Sequence, residues 1–218
     1  MELLVATLAY TLGSRDADVL ARIRLIADTV HNAPGMIDSR FYRGRGKEPY
    51  YFALTTWDDD ESWQRAQERH NPGQLLLENS ADLLTTPPKQ WLMRYLWGYS
   101  RSTATSAMAA VHLATPYPAQ VDTTQQQWLQ RLRQQTLQSA LSFAFLARGS
   151  HETPKTHASA NVAGSQDTAA AQSTMLLNLL SWANDSDREK FYAHPGYQAI
   201  HKMVKSAGMM HVLSLELM

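Results

Sequence analysis

The 218-residue sequence contains no cysteine, which excludes disulfides, iron–sulfur clusters, zinc-thiolate sites and thiol catalysis and fits a reducing compartment. It also has no excess charge. Twenty basic residues balance twenty acidic ones, so the long-range positive field that nucleic acid or an anionic membrane demands is missing, and neither is an expected partner. The opening MELLVATLAY lacks a basic segment, and its apolar stretch stops at Gly13 and Arg15, too early for a secretory signal or a membrane span. The expected location is cytoplasmic. No Gly-rich phosphate loop, dinucleotide fingerprint or nucleophile elbow stands out, so nucleotide, flavin-Rossmann and hydrolase readings have no support.

What the chain does have is a 44% hydrophobic and 18% charged composition, enough apolar surface to bury a substantial core. Its patterning spells one order of elements. A strand over 2–12 is followed by a helix from Asp16, with Val19, Leu20, Ile23, Ile26, Ala27 and Val30 at three- and four-residue steps, ending near Pro34-Gly35. Strands over 36–44 and 50–57 flank a Gly- and charge-rich turn. A helix from Glu61 breaks at Asn71-Pro72-Gly73 and resumes to Leu84, and an aromatic strand covers 90–99. This is the β-α-β-β-α-β order of ferredoxin-like units.

The order then repeats. A strand over 108–115 leads to a helix over 122–138 with Trp128, Leu129, Leu132 and Leu137 as its apolar stripe; strands over 141–148 and 174–182, a helix from about 186 to 206 and a strand over 209–217 follow. A local echo supports duplication: Trp57, acidic residues, then His70-Asn71-Pro72-Gly73 in the first half; Trp182, acidic residues, then His194-Pro195-Gly196 in the second. The expected division is a first repeat over 1–101, a small polar linker over 102–107 and a second repeat over 108–218, the last carrying an Ala/Ser/Thr-rich insert at 149–172 expected to be flexible. One such unit leaves a sheet face uncovered, so two should pack within the chain as an α+β barrel enclosing room for a small molecule. The first half is rich in Tyr, Trp and Arg and the second in Met and Ala, which permits a site that occurs only once.

The runs GMIDSRFYRGRGKEPYYFALTTWDDDESWQRAQERHNP and LLSWANDSDREKFYAHPGYQAIHKMV resemble the antibiotic-biosynthesis-monooxygenase family. That resemblance implies a dimeric α+β barrel, satisfied here inside one chain as a tandem two-repeat pseudo-dimer. For some members it also implies oxygenation of electron-rich aromatic polyketides with no metal, flavin or haem. The implied partners are a small aromatic substrate and dioxygen, with self-association of the fused pair left open; the alternatives are a non-catalytic binding or scaffolding protein and a haem-binding or haem-degrading protein.

His70 and Trp63 lie seven apart on one helix, so an imidazole near neutral pKa and an indole can flank one ligand, with His70 as general base. A helix-end His also completes the helix dipole, and Trp63 serves equally as packing. Asn71 can donate to a developing oxyanion, although Asn before Pro72 also suits a turn. Arg40, Tyr42 and Tyr51 on neighbouring strands, with Arg94 and Tyr95 on the fourth, can present hydroxyls and guanidinium groups to an anionic aromatic. His194, His201 and His211 invite a metal or haem reading, but no His-Glu-x-x-His pattern accompanies them. Haem-degrading relatives place an Asn on the first strand, where Leu3 to Leu12 has none, and a Trp on the second helix, where the second half has Phe191-Tyr192.

Overall fold

The computed structural model describes residues 2–46, 49–70, 83–101, 108–151 and 173–218. Asn71, the linker 102–107 and residues 152–172 of the insert lie outside them. The first half builds β1 (Leu3–Tyr10), α1 (Asp16–His31), β2 (Met36–Gly44), β3 (Tyr50–Trp57), α2 (Asp60–His70) and β4 (Lys89–Ser100). The second builds β5 (Met108–Pro116), α3 (Val121–Gln138), β6 (Leu141–His151), β7 (Thr174–Trp182), α4 (Asp185–Ala193), α5 (Pro195–Ala207) and β8 (Gly208–Leu217).

Three boundaries differ from expectation. Leu84, expected to end the resumed helix, instead bridges Thr11, and residues 74–82 of that expected helix lie outside the described residues. The helix over 186–206 is two helices, because Pro195 lacks an N–H and His194 becomes the cap of α5: its Nδ1 accepts the Gly196 N–H at 3.0 Å. β6 runs three residues into the expected insert, since Gly149 and Ser150 are paired with both β4 and β7.

The strands close into one antiparallel barrel in the order β1-β3-β2-β8-β5-β7-β6-β4. Closure removes the free edges that each four-stranded half would carry. The two halves match in register: Leu3 pairs with Trp57 as Met108 does with Trp182, and Met36 pairs with Trp57 as Leu141 does with Trp182. Both second strands then carry an irregularity at the same point, between Met36 and Asp38 and between Leu141 and Phe143.

Strand alternation sends one set of side chains inward, where Leu4, Leu8, Phe52, Met93, Val111, Phe145 and Leu177 fill the barrel's centre. The other set faces helices. Trp128 and Leu132 of α3, Phe191 of α4 and Tyr197, Ile200 and Val204 of α5 bury Ala110, Leu176, Leu180 and Trp182. In the first half Trp63 of α2 packs on Leu3, Val5 and Trp57, and Val19 and Ile23 of α1 pack beside Tyr51. Leu137 departs from the expected stripe of α3: it is 86% exposed at the helix's last turn, while Gln135 and Thr136 are buried.

The two seams between halves are unequal. β4 and β6 share nine residue pairs, β2 and β8 only three, from Tyr42↔Leu217 to Gly44↔Leu215. The long seam depends on Gly149, where an added Cβ would overlap the Leu92 carbonyl oxygen. Gly149→Ala is therefore expected to cost about 1–3 kcal/mol in chemical denaturation; an unchanged midpoint would show that this backbone approach is not tight.

Candidate functional site

The short seam leaves β2 from Met36 to Arg40 without a β8 partner, and beside this gap, where β7 and β8 end, lies a cavity of about 290 Å³. Its walls are Ser39, Arg40, Phe41 and Tyr42 of β2, Ala109 of β5, Phe143 of β6, Ser181 of β7, and Leu217 and Met218. The Met218 N–H donates to the Phe41 carbonyl oxygen at 3.0 Å and fixes one rim.

Arg40 and Tyr42 are two residues apart on one strand, so both point inward. Arg40 Nε donates to Asp38 Oδ2 at 2.9 Å, and its guanidinium carbon lies 4.7 Å from the centre of the Phe143 ring, a cation–π contact reaching to the other half. Burial opposes the Arg40 charge, but Asp38 and Tyr42 outweigh it and leave its pKa above the ordinary value. Tyr42 is buried, which raises its hydroxyl pKa, with Arg40 partly opposing. Tyr95 is raised by burial as well; its hydroxyl lies 3.1 Å from Thr56 Oγ1 and its ring meets Phe145 edge-on at 5.2 Å.

The matched register shows how the halves divide this end of the barrel. Asp38 pairs with Thr56 as Phe143 pairs with Ser181, so Arg40 and Tyr42 occupy the positions that Phe145 and Ala147 hold in the second half. The first half supplies the guanidinium and the tyrosine hydroxyl, the second mostly apolar surface with one hydroxyl from Ser181. Such a site can lay a flat ring beside Phe143 and set an oxygen against Arg40.

The remaining sequence candidates are placed elsewhere. Tyr51 pairs with Arg43, one residue out of step with Tyr42, so it faces the outer layer, where its hydroxyl donates to Asp16, itself ion-paired with Arg43 at 2.6 Å. Arg94 points away from its neighbour Tyr95 and pairs with Asp60 at the start of α2. Trp63 is buried between α2 and the outer sheet face. His70 is the last residue of α2, a helix of that same outer layer, and Asn71 lies outside the described residues.

A second polar group went unread in the sequence. His112 of β5 is completely buried between sheet and helices, its Nε2 3.0 Å from the Tyr197 hydroxyl of α5. Burial lowers its pKa to about 4, with the Asn178 backbone partly opposing. The available signal was a lone imidazole inside the apolar strand MAAVHLAT; its partner, 85 residues away, carried none.

The surroundings of His201 do not fit a haem. Its ring centre lies 5.9 Å from that of Tyr197, and Tyr192, Tyr197, Phe191 and Trp182 fill the space behind it at 4.7–5.9 Å between ring centres. His194 has its Nδ1 engaged in the α5 cap, and His211 is exposed on β8. Among the described residues no group of three or more His, Asp or Glu side chains is placed to hold a metal ion, and no helix is long and apolar enough to cross a membrane.

No protein-family model matches the sequence, and no curated protein matches it. Solved structures do resemble the fold. An anthrone oxidase-like protein superposes with a TM-score of 0.76 at 10% identity, over 100% of this chain and 91% of its own. A protein of Fusobacterium nucleatum, provisionally named a monooxygenase, gives 0.71 at 4% identity over 99% and 92%. An uncharacterized ferredoxin-fold protein of Listeria monocytogenes, related to antibiotic biosynthesis monooxygenases, gives 0.52 at 7% identity over 100% and 95%. At these identities the likeness is one of fold.

Proposed function

From the premise that this chain has, in single-chain form, the α+β barrel fold shared with proteins related to antibiotic biosynthesis monooxygenases, we propose that it is a cofactor-independent oxygenase of small hydroxylated aromatics, with the open end of the barrel as its site. The observation that carries this reading is the meeting of Arg40, Tyr42 and the Phe143 ring at a cavity of about 290 Å³. The ring lies beside Phe143, and the Arg40 N–H groups that Asp38 leaves unengaged donate to the ligand oxygen as the bound hydroxyl releases its proton to water. The electron-rich anion then reduces dioxygen directly. The ring carbon ortho or para to that oxygen becomes a carbonyl: its carbon–hydrogen bond and the hydroxyl O–H bond break, one atom of dioxygen stays in the product and the other leaves as water with the two hydrogens, and all four electrons are drawn from the substrate. The structural neighbours named for monooxygenase and anthrone oxidase chemistry support this reading.

A second reading, a non-catalytic binding protein, is favoured by two features: among the described residues no imidazole lines the cavity, and its Tyr42 hydroxyl has a raised pKa. Oxygen-electrode measurements on purified protein, colourless and treated with chelator, separate the two. Uptake stoichiometric with a hydroxylated anthrone or quinol, lost in Arg40→Ala, is expected; binding without uptake across such a panel would leave only the second reading. Titration with haemin tests the third, for which a Soret shift dependent on His201 would be required.

A further inference from the structure

We infer that Asp38 selects the charge of the ligand at the barrel's open end: with Asp38 in place the site takes an uncharged two-ring hydroxyarene and disfavours the corresponding carboxylate. This rests on the reading of that cavity as the ligand site and adds to it a substrate class and a residue that sets it.

Among the described residues Arg40 is the one cation that lines the cavity, and it is not a free charge. Its Nε is held by Asp38 at 2.9 Å, so the pair presents no net charge to an incoming molecule. A carboxylate ligand must therefore compete with Asp38 for the guanidinium or sit beside it as a second anion. A hydroxyl brings no charge, accepts from the guanidinium's remaining N–H groups and leaves the ion pair intact. The register sharpens the contrast, because the position Asp38 fills in the first half is filled in the second by Phe143, the ring over which Arg40 lies. Arg40 thus has an anion already supplied on one side and the Phe143 ring on the other, which together hold the guanidinium as a plane beside which a ligand ring can lie. Size narrows the class: about 290 Å³ is near twice the roughly 150 Å³ that accommodates benzene in an apolar cavity, which suits two fused rings.

The test compares 2-naphthol with 2-naphthoate, the same ring system bearing a hydroxyl or a carboxylate, by calorimetry in neutral buffer. Wild-type protein should bind 2-naphthol several-fold more tightly. Asp38→Asn should tighten 2-naphthoate about fivefold, the upper end of what a half-exposed charge pair delivers, while 2-naphthol changes by less than about twofold. A melting curve of Asp38→Asn close to wild type checks that folding is unaffected, as its exposed position leads one to expect. Equal or tighter binding of 2-naphthoate by wild type, an unchanged 2-naphthoate affinity in Asp38→Asn, or binding of neither ligand would overturn the inference. Selectivity that holds while no dioxygen is consumed would instead remove the oxygenase reading and leave this one in place.

Discussion

Arg40→Ala is expected to weaken 2-naphthol binding about tenfold, in line with loss of a hydrogen bond to a charged group at a partly solvated site. The change removes both functions of the guanidinium, the donor to the ligand oxygen and the plate over Phe143. Arg40→Lys should recover little of this, because an ammonium neither stacks on a ring as a plane nor donates from a fixed fork. The fold should tolerate both, since the Arg40 side chain is 42% exposed. Tight binding by Arg40→Ala would place the ligand elsewhere.

A larger effect on stability is expected at His112. An imidazole with an ordinary pKa near 6.5 in the unfolded chain and about 4 in the folded one takes up its proton more readily when unfolded. Its contribution is therefore fully present above about pH 6.5 and is lost progressively as the pH falls to 4, by about 3 kcal/mol in all. Denaturant titrations across that window should show this loss in the wild type and a much shallower profile in His112→Leu, where only the contribution of His201, lowered by burial and by Lys205, remains. The carboxylates affect a lower range. Asp59, stabilised by the Ser62 N–H, and Asp185, stabilised by Arg45, are both held below the ordinary value of 3.8, so their losses come later in acidification. A slope of undiminished size in His112→Leu would contradict the assignment. Tyr197→Phe, which strips the His112 Nε2 of its partner, should cost about 1–3 kcal/mol at neutral pH.

Periodicity carried most of the architecture, because strands that face a core on one side and helices with one apolar stripe leave regular marks. The echo around Trp57 and Trp182 was legible for a physical reason: each indole closes the end of the third strand of its half, buried at the same register position. Faces were harder to read than elements. Tyr42 and Tyr51 look adjacent across a hairpin, but the turn pairs Tyr42 with Phe52, and a one-residue step sends the two hydroxyls to opposite sides of the wall. Arg94 and Tyr95, consecutive on a strand, are divided by the same alternation. Trp63 illustrates a different limit. Spacing along α2 shows that it shares a face with His70, yet only the closed barrel shows that this helix lies outside the sheet. Neither the unequal seams nor the His112–Tyr197 contact has a local signature, since both are set by pairing between distant parts of the chain.

The placement of the ligand is tested most directly by a crystal structure of the protein soaked with 2-naphthol. The expected density puts the naphthalene against Phe143 at the open end of the barrel, with its oxygen within hydrogen-bonding distance of the Arg40 guanidinium. Density instead between α1 or α2 and the outer sheet face, near Tyr51 and Trp63, would contradict that placement and move the site to the helical layer.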